Sequence, residues 1–373
     1  MAELKANGLQ LHSRVDADGT VELALREVPT AQPGADEVVV RIDAAPINPS
    51  DLGLLLAGAE GASFSANGDK LTAKLSPEVL RAMAARVGQS LPVGNEGAGV
   101  VVAAGTNAQA LLGKTVGIRG GASYAEYRTL AASEVTEFPA GTSAEDGASW
   151  YVNPMTVLGF VETLRREGHK ALVHTAAASN LGQILIKVAA KEGIPLVNIV
   201  RRPEQVAQLK ALGAVHVVDS STPTFLPDLI EAVAATQATL AFDATGGGKL
   251  AGQILTAMEV VASRSLPAYS RYGSAVHKQV YIYGGLDRGP TVLNRSFGFS
   301  WSVSGWLVPI VMQKLGADVE RALRARVVGE LKTTFASQYT RRISLREALS
   351  LDTLRAYAQM ATGSKYLITP HAR

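Results

Sequence analysis

From about residue 151 onward the chain alternates short apolar runs with longer segments whose apolar positions recur at helical spacing. ALVHTAA (171–177) reads as a buried strand, and NLGQILIKVAAKEG (180–193) as a helix closed by glycine. The rhythm repeats. PLVNIV is a strand, PEQVAQLKALG a helix and VHVVDS a strand; FLPDLIEAVAAT is a helix and LAFDATGGG a strand; LAGQILTAMEVVAS is a helix and QVYIYGGL a strand. Strands that alternate with helices of this length predict a parallel sheet covered on both faces.

The first 150 residues have a different texture. EVVVRIDAAPINPSD (37–51), GAGVVVAAG (97–105) and GKTVGIRGGASYAEYRTL (113–130) are β-branched, apolar runs bounded by Gly, Pro and Asn. Residues 61–90 interrupt them with SPEVLRAMAARV, a helix signal with a serine cap and proline at the first helical position. This segment is expected to be an inserted, lid-like lobe. Near the C-terminus, SLREALSLDTLRAYAQMA (344–361) predicts one helix and KYLIT a last strand. The expected fold class is α/β.

Composition narrows the function. The chain has 373 residues, enough for two domains, with 47% hydrophobic and 18% charged residues, so a sizeable packed core is expected. The net charge of +3 is dispersed, with no basic run longer than Arg201–Arg202 or Arg341–Arg342, which argues against a nucleic-acid partner. There is no cysteine, so disulfides and thiolate metal sites are excluded. The first 19 residues lack the apolar core of a leader peptide, and no stretch is long enough to span a membrane. A cytoplasmic protein without membrane contact is the expectation.

The turn after the first strand of the alternating region reads Ala177-x-Ser179-x-x-Gly182, a dinucleotide fingerprint with two glycines replaced by small residues. Backbone N–H groups at the following helix N-terminus suit phosphate oxygens. A purely structural strand-to-helix turn fits the motif equally well. About 20 residues on, where an NAD site places an acid on the ribose, the chain has Arg201 and Arg202. Guanidinium groups suit a 2′-phosphate, which points to NADPH; the alternative is a solvated basic pair.

The ordered set PINPSD (46–51), PVGNEGAGVVVAAG (92–105), YVNPMTVLGF (151–160), HTAAASNLGQ, NIVRR, YIYGGL (281–286) and GSKYLITP resembles the zinc-free medium-chain dehydrogenase/reductase superfamily. The likeness is to its quinone oxidoreductase and 2-enoyl thioester reductase branches, over nearly the whole chain. The resemblance implies a GroES-like β-rich domain at 1–150, completed by 340–373, and a Rossmann domain with a doubly wound parallel sheet at 151–339. It also implies that Ser179, Asn180, Leu181 and Gly182 form the pyrophosphate loop. Asn48 and Thr156 would lie beside the nicotinamide, Tyr283, Gly284 and Gly285 would contact it, and Lys365 would reach the cofactor region. A homodimer through Rossmann edge strands is a further implication.

Zinc-dependent relatives carry a cysteine where this chain has Asn48 and a histidine where it has Asn95, so no metal is expected. Glu96 is read as a structural carboxylate that holds loop N–H groups. Without a Lewis acid, reduction of an activated C=C bond or a quinone is the accessible chemistry, with Asn48, Thr156 and Tyr124 as candidate oxygen-stabilising donors. Tyr124 reads equally as a packed strand residue, and His174 as a core histidine. Phe297, Phe299 and Trp301 form either an apolar substrate wall or ordinary packing. Enoyl reductases have a tyrosine proton donor just after the NPSD-like motif; this chain reads NPSDLGLLLAGAEGASFS there, without one. The expectation is therefore an NADPH-dependent reductase of a small-molecule quinone or conjugated enone or enal. Its rivals are a 2-enoyl thioester reductase with another donor, and a non-catalytic NADPH-binding sensor.

Overall fold

The computed structural model describes residues 5–372, so the first four residues of the segment read for a leader lie outside the described residues. The chain divides into two compact units, Met1–Val152 with Val327–Arg373, and Asn153–Arg326.

In chain order, β1 (Asn7–Val15), β2 (Thr20–Pro29) and β3 (Glu37–Pro46) precede helix α1 (Pro49–Leu56). Strands β4 (Ser65–Asn67) and β5 (Lys70–Lys74), helix α2 (Pro77–Ala82) and strand β6 (Ser90–Pro92) follow. Then come β7 (Glu96–Ala104), β8 (Thr115–Arg119), β9 (Tyr127–Ala131), β10 (Thr136–Glu137) and α3 (Ala144–Gly147). Helix α4 (Val152–Arg166) leads into β11 (Leu172–His174), α5 (Asn180–Glu192), β12 (Leu196–Val200), α6 (Pro203–Ala211) and β13 (His216–Asp219). Next are α7 (Phe225–Thr236), β14 (Leu240–Asp243), β15 (Gly246–Gly248), α8 (Leu250–Arg264), β16 (Lys278–Ile282) and β17 (Asp287–Thr291). Strand β18 (Trp301–Gly305), helices α9 (Val308–Leu315) and α10 (Ala317–Gly329), β19 (Arg341–Ile343), α11 (Leu345–Ala348), α12 (Leu351–Ala358) and β20 (Tyr366–Ile368) complete the chain.

The first unit is β-rich and mostly antiparallel. One sheet runs β4-β5-β2-β1-β6; the other runs β10-β8-β7-β3-β20-β19, with β9 also on β3. β20 pairs antiparallel with β3, so the C-terminal strand completes a sheet begun near the N-terminus. Part of the 61–90 segment is built into this unit. β5 pairs with β2, and Phe64, Leu71 and Ala73 are buried in its core, whereas α2 buries no residue. The single helix expected over 344–361 is two. Ser344 caps α11, and Ser350 caps α12 by accepting from the Thr353 N–H, so the helical hydrogen bonding restarts at a capping side chain.

The second unit carries a parallel sheet in the order β13-β12-β11-β14-β16-β18, the doubly wound arrangement in which the strand order reverses beside the first strand. β12 is buried at every position, as a strand of a covered parallel sheet is, and its sequence is apolar except for Asn198, whose amide donates to His216 O at 3.2 Å. The expected α/β class, an antiparallel β-rich part plus a doubly wound parallel sheet, is present. Helix α4 was not read from the sequence. Eleven of its fifteen residues are buried, so it lacks the one-sided apolar stripe that marks a surface helix. No helix of the described residues is long and apolar enough to cross a membrane.

Candidate functional site

In the first unit a buried polar network gathers around Asn48. This residue is the N-cap of α1, with Pro49 at the first helical position and Asp51 reaching back to the Asn48 N–H at 2.7 Å. The motif Asn-Pro-Ser-Asp is therefore a capping box. Asp51 also accepts from the Asn95 N–H at 2.8 Å and from the Tyr124 hydroxyl at 2.8 Å. The Asn48 amide is held at both ends: Nδ2 donates to Glu96 Oε1 at 2.8 Å, and Oδ1 accepts from Lys365 Nζ at 3.0 Å. The other Glu96 oxygen accepts from the Tyr151 and Val152 N–H groups at 2.8 and 2.9 Å. Glu96 thus holds loop N–H groups as well as the amide.

Electrostatics follow from burial. Burial lifts the Asp51 carboxyl to about 6 against the three hydrogen bonds that favour its anion. Burial also raises Glu96, and the nearby Lys365 charge pulls it back. Tyr124 is raised by burial and by Asp51. Burial lowers Lys365 to about 8, opposed by Glu96 and Asp51. Tyr124 is 0% exposed, its hydroxyl donating to Asp51 with Pro46 O at 3.1 Å. It has no opening to a ligand here, so its place among the oxygen-stabilising donors is corrected to a support of Asp51. Gly94, at φ +100°, lies where a Cβ would come within 2.5 Å of the Tyr124 ring. Asp51 was not singled out from the sequence, although its neighbours Asn48, Glu96 and Tyr124 were and the capping-box spacing was legible there.

In the second unit the turn after β11 is tight. Its left-handed residue is Ala176, at φ +50°, one position before the Ala177 expected to make the turn. Ser179 caps α5, its Oγ accepting from the Gly182 N–H at 3.2 Å. A Cβ on Gly182 would sit 2.1 Å from Ala177 O, so the close packing of helix on turn demands glycine. Asn180 opens α5 and Leu181 is buried beside it. Arg201 and Arg202 leave the C-terminal end of β12 with exposed side chains, Arg202 being 3.9 Å from Glu204.

At the C-terminal end of β16, the Tyr283 hydroxyl pairs with His174 Nε2 at 2.8 Å, the two rings stacked at 5.9 Å. His174 is fully buried and pushed down to about 3 by burial, so it is a neutral core histidine, as one reading expected. Tyr283, Gly284 and Gly285 line a cavity of about 700 Å³ with Trp306, Leu307 and Ile310. A Cβ on Gly284 would lie 2.6 Å from Ala244 O. Thr156 is buried in α4. The three aromatics do not form one wall: Phe297 is in the core, edge-on to Trp301 at 4.8 Å, and Phe299 is 80% exposed. Among the described residues no group of three or more His, Cys, Asp or Glu is arranged to hold a metal ion.

No family model matches the chain. The mitochondrial enoyl-[acyl-carrier-protein] reductase of Xenopus tropicalis is 30% identical over 206 residues, 52% of this chain and 51% of that protein. The chain spans about half the length of the curated relatives it matches. Among solved structures, a candidate NADPH:quinone reductase from Mesorhizobium loti is similar over 99% of this chain and 100% of its own, with TM-score 0.74 and 25% identity. Escherichia coli quinone oxidoreductase, solved in complex with NADPH, matches over 98% of this chain and 100% of its own, with TM-score 0.69 and 17% identity.

Proposed function

We infer that this chain, a medium-chain dehydrogenase/reductase of the quinone oxidoreductase and 2-enoyl thioester reductase branch, is an oxidoreductase. In this reading it uses NADPH to reduce a quinone or a conjugated enone or enal, without zinc. The observation that carries the cofactor choice is the Arg201–Arg202 pair at the end of β12, where an acid would be needed to favour NAD. Bound there, NADPH supplies the hydride.

The residues present fit that group. Ser179, Asn180, Leu181 and Gly182 give a capped helix N-terminus, closed so tightly on its turn that only glycine fits at 182, for the pyrophosphate. The two guanidinium groups are exposed and suit a 2′-phosphate. We assign Tyr283, Gly284, Gly285 and Thr156, all of the second unit, to the nicotinamide. Asn48 and Asn95 stand in place of a thiolate and an imidazole, and the Asn48 amide is already held by Glu96 and Lys365, a poor donor set for zinc. The unpaired outer edge of β18 in the parallel sheet supports a homodimer. We place the protein in the cytoplasm.

A second reading, a 2-enoyl thioester reductase, is favoured by the 30% identity to an enoyl-[acyl-carrier-protein] reductase. It must use a donor other than the absent loop tyrosine. A turnover screen with NADPH against quinones, enones and enoyl thioesters separates the two, and binding without turnover on any of them would indicate a sensor. The cofactor assignment is tested by dissociation constants for NADPH and NADH in the wild type, Arg201→Ala and Arg201→Ala/Arg202→Ala. A charge-assisted hydrogen bond contributes about 1.5–3 kcal/mol, so Arg201→Ala should weaken NADPH roughly 10- to 100-fold and leave NADH nearly unchanged. Equal weakening of both cofactors, or equal wild-type affinities, would refute it.

A further inference from the structure

We propose that the exposed Phe299 ring, backed by Tyr272, docks on Leu307 of a second copy of this chain, across β18 strands paired antiparallel about Val303. This rests on and deepens the homodimer reading above, which names neither contact residues nor register. The starting observation is where exposed apolar side chains lie in the second unit. Phe299, just before β18, is 80% exposed, and Tyr272, edge-on to it at 6.0 Å, is 63% exposed. Leu307, just after β18, is 55% exposed. Large apolar groups left in water at both ends of one strand mark an interaction surface.

The aromatic end is held firmly. Glu259 on α8 accepts from the Ser274 N–H and hydroxyl, each at 2.7 Å, and pairs with the buried Lys278 ammonium, which also donates to Val276 O at 2.9 Å. A Cβ on Gly298 would come within 3.1 Å of the same carboxylate, so the segment before Phe299 packs on it as well. Rings fixed in this way lose little freedom on docking.

Two edges of the parallel sheet are free among the described residues, and they differ. β13 reads HVVD, and the groove beside it is lined by Lys210, Asp219, Asp228 and Glu231, charges that deter edge pairing. β18 reads WSVSG and carries no charge. Backbone parity then sets the register. Ser300 O accepts from the Lys278 N–H, and the Trp306 N–H donates to Ile282 O, so the even-numbered residues face β16. The N–H and C=O groups of Trp301, Val303 and Gly305 therefore face outward. Centred on Val303, Trp301 pairs with Gly305 of the other copy, Val303 with Val303 and Gly305 with Trp301, so every outward group of the strand is used. Phe299 and Leu307 stand equally far from Val303, so this register sets each Phe299 opposite a Leu307, on the same side of the joined sheet. A shift to either side leaves outward groups unpaired and parts the two apolar ends. A surface whose two ends match about its own centre is self-complementary, as a two-fold interface requires, which selects a second copy as the occupant.

The chain has no cysteine, so introduced ones report alone. The test oxidises Phe299→Cys/Leu307→Cys and each single variant, in the full chain, and reads covalent dimer on a non-reducing gel. In the proposed register the Cα atoms of opposite residues are about 5.5 Å apart, within disulfide reach. Positions 299 and 307 of one chain, or position 299 of the two copies, are about 27 Å apart at about 3.4 Å per residue. The double variant should therefore cross-link and the single variants should not. Sedimentation of the wild type, Phe299→Ala and a control at the β13 edge, Val215→Ala, supplies the second readout. The wild type and the control should be dimers with equal dissociation constants. Phe299→Ala should raise that constant about 100-fold, because each dimer holds the contact twice and an aromatic anchor contributes roughly tenfold at each. The side chains of Phe299, Leu307 and Val215 are exposed, so far-ultraviolet circular dichroism should not change. A monomeric wild type would overturn this proposal and the homodimer reading together. A wild-type dimer whose double variant does not cross-link, or whose Phe299→Ala form dissociates no more readily, would overturn this proposal alone. Should the double variant fail to fold, Phe299→Ala decides.

Discussion

Gly182→Ala is the sharpest test of the turn after β11. The added Cβ would stand 2.1 Å from Ala177 O, 2.6 Å from its carbonyl carbon and 2.8 Å from its Cα, where real Cβ contacts essentially never fall below 3.0 Å. All three neighbours are backbone, so no side chain can swing aside. The helix must retreat from the turn by about 0.9 Å, the difference between 3.0 and 2.1 Å. That retreat costs overpacking strain of about 1–3 kcal/mol and stretches the 3.2 Å bond from the Gly182 N–H to Ser179, a cap worth about 1 kcal/mol. The expected loss is about 2–4 kcal/mol. Ser179→Ala removes the cap alone and should cost about 1 kcal/mol. Urea melts of the wild type and both variants measure this, with NADPH titrations beside them. If the pyrophosphate sits on this helix end, Gly182→Ala should weaken NADPH at least as much as Ser179→Ala does. A Gly182→Ala protein that melts within about 0.5 kcal/mol of the wild type would show that the turn relaxes freely and that the packing argument is wrong.

Two further outcomes follow from burial. Phe64 is 1% exposed in the core of the first unit, so Phe64→Ala should cost about 3–5 kcal/mol in a urea melt; a loss under about 1 kcal/mol would mark 61–74 as a detachable lid after all. Asp51 rises to about 6 in the folded chain from an ordinary 3.8, so the native state binds the extra proton between those values and stability falls as pH rises from about 4 to 6. The 2.2-unit difference corresponds to roughly 3 kcal/mol, and Asp51→Asn should lose that part of the slope. Identical pH–stability slopes in the two proteins would refute it.

The second unit was largely legible in the sequence because its strands and helices differ in period and length. Buried parallel strands such as β12 are short, mainly apolar runs, and α5 carries a one-sided stripe closed by Gly193 in the left-handed region. Elements whose surroundings erase the period were missed. Helix α4 is buried nearly all round, polar residues included, and the break between α11 and α12 is made by one serine whose cap competes with helix continuation. The fingerprint turn was readable in Gly182, where close packing leaves no choice, and misplaced by one residue at Ala176, because an alanine in the left-handed region carries no sequence mark. Asn48 was legible through its motif; its partners Glu96, 48 residues on, and Lys365, 317 residues on, meet it only through the pairing of β20 with β3 and β3 with β7.

That network also bounds how the first unit can work. Asp51 and Glu96 are buried carboxylates, and Lys365 is the amine beside them. Each carboxylate accepts three hydrogen bonds, so removal of one donor would leave buried charge less compensated. The groups titrate as a set. Below about pH 6 Asp51 takes a proton and loses the charge that organises the Asn48 N–H, the Asn95 N–H and the Tyr124 hydroxyl. Above about pH 8 Lys365 gives its proton up, and the Asn48 carbonyl loses its cationic partner. Only between the two are the carboxylate anchor and the ammonium charged together.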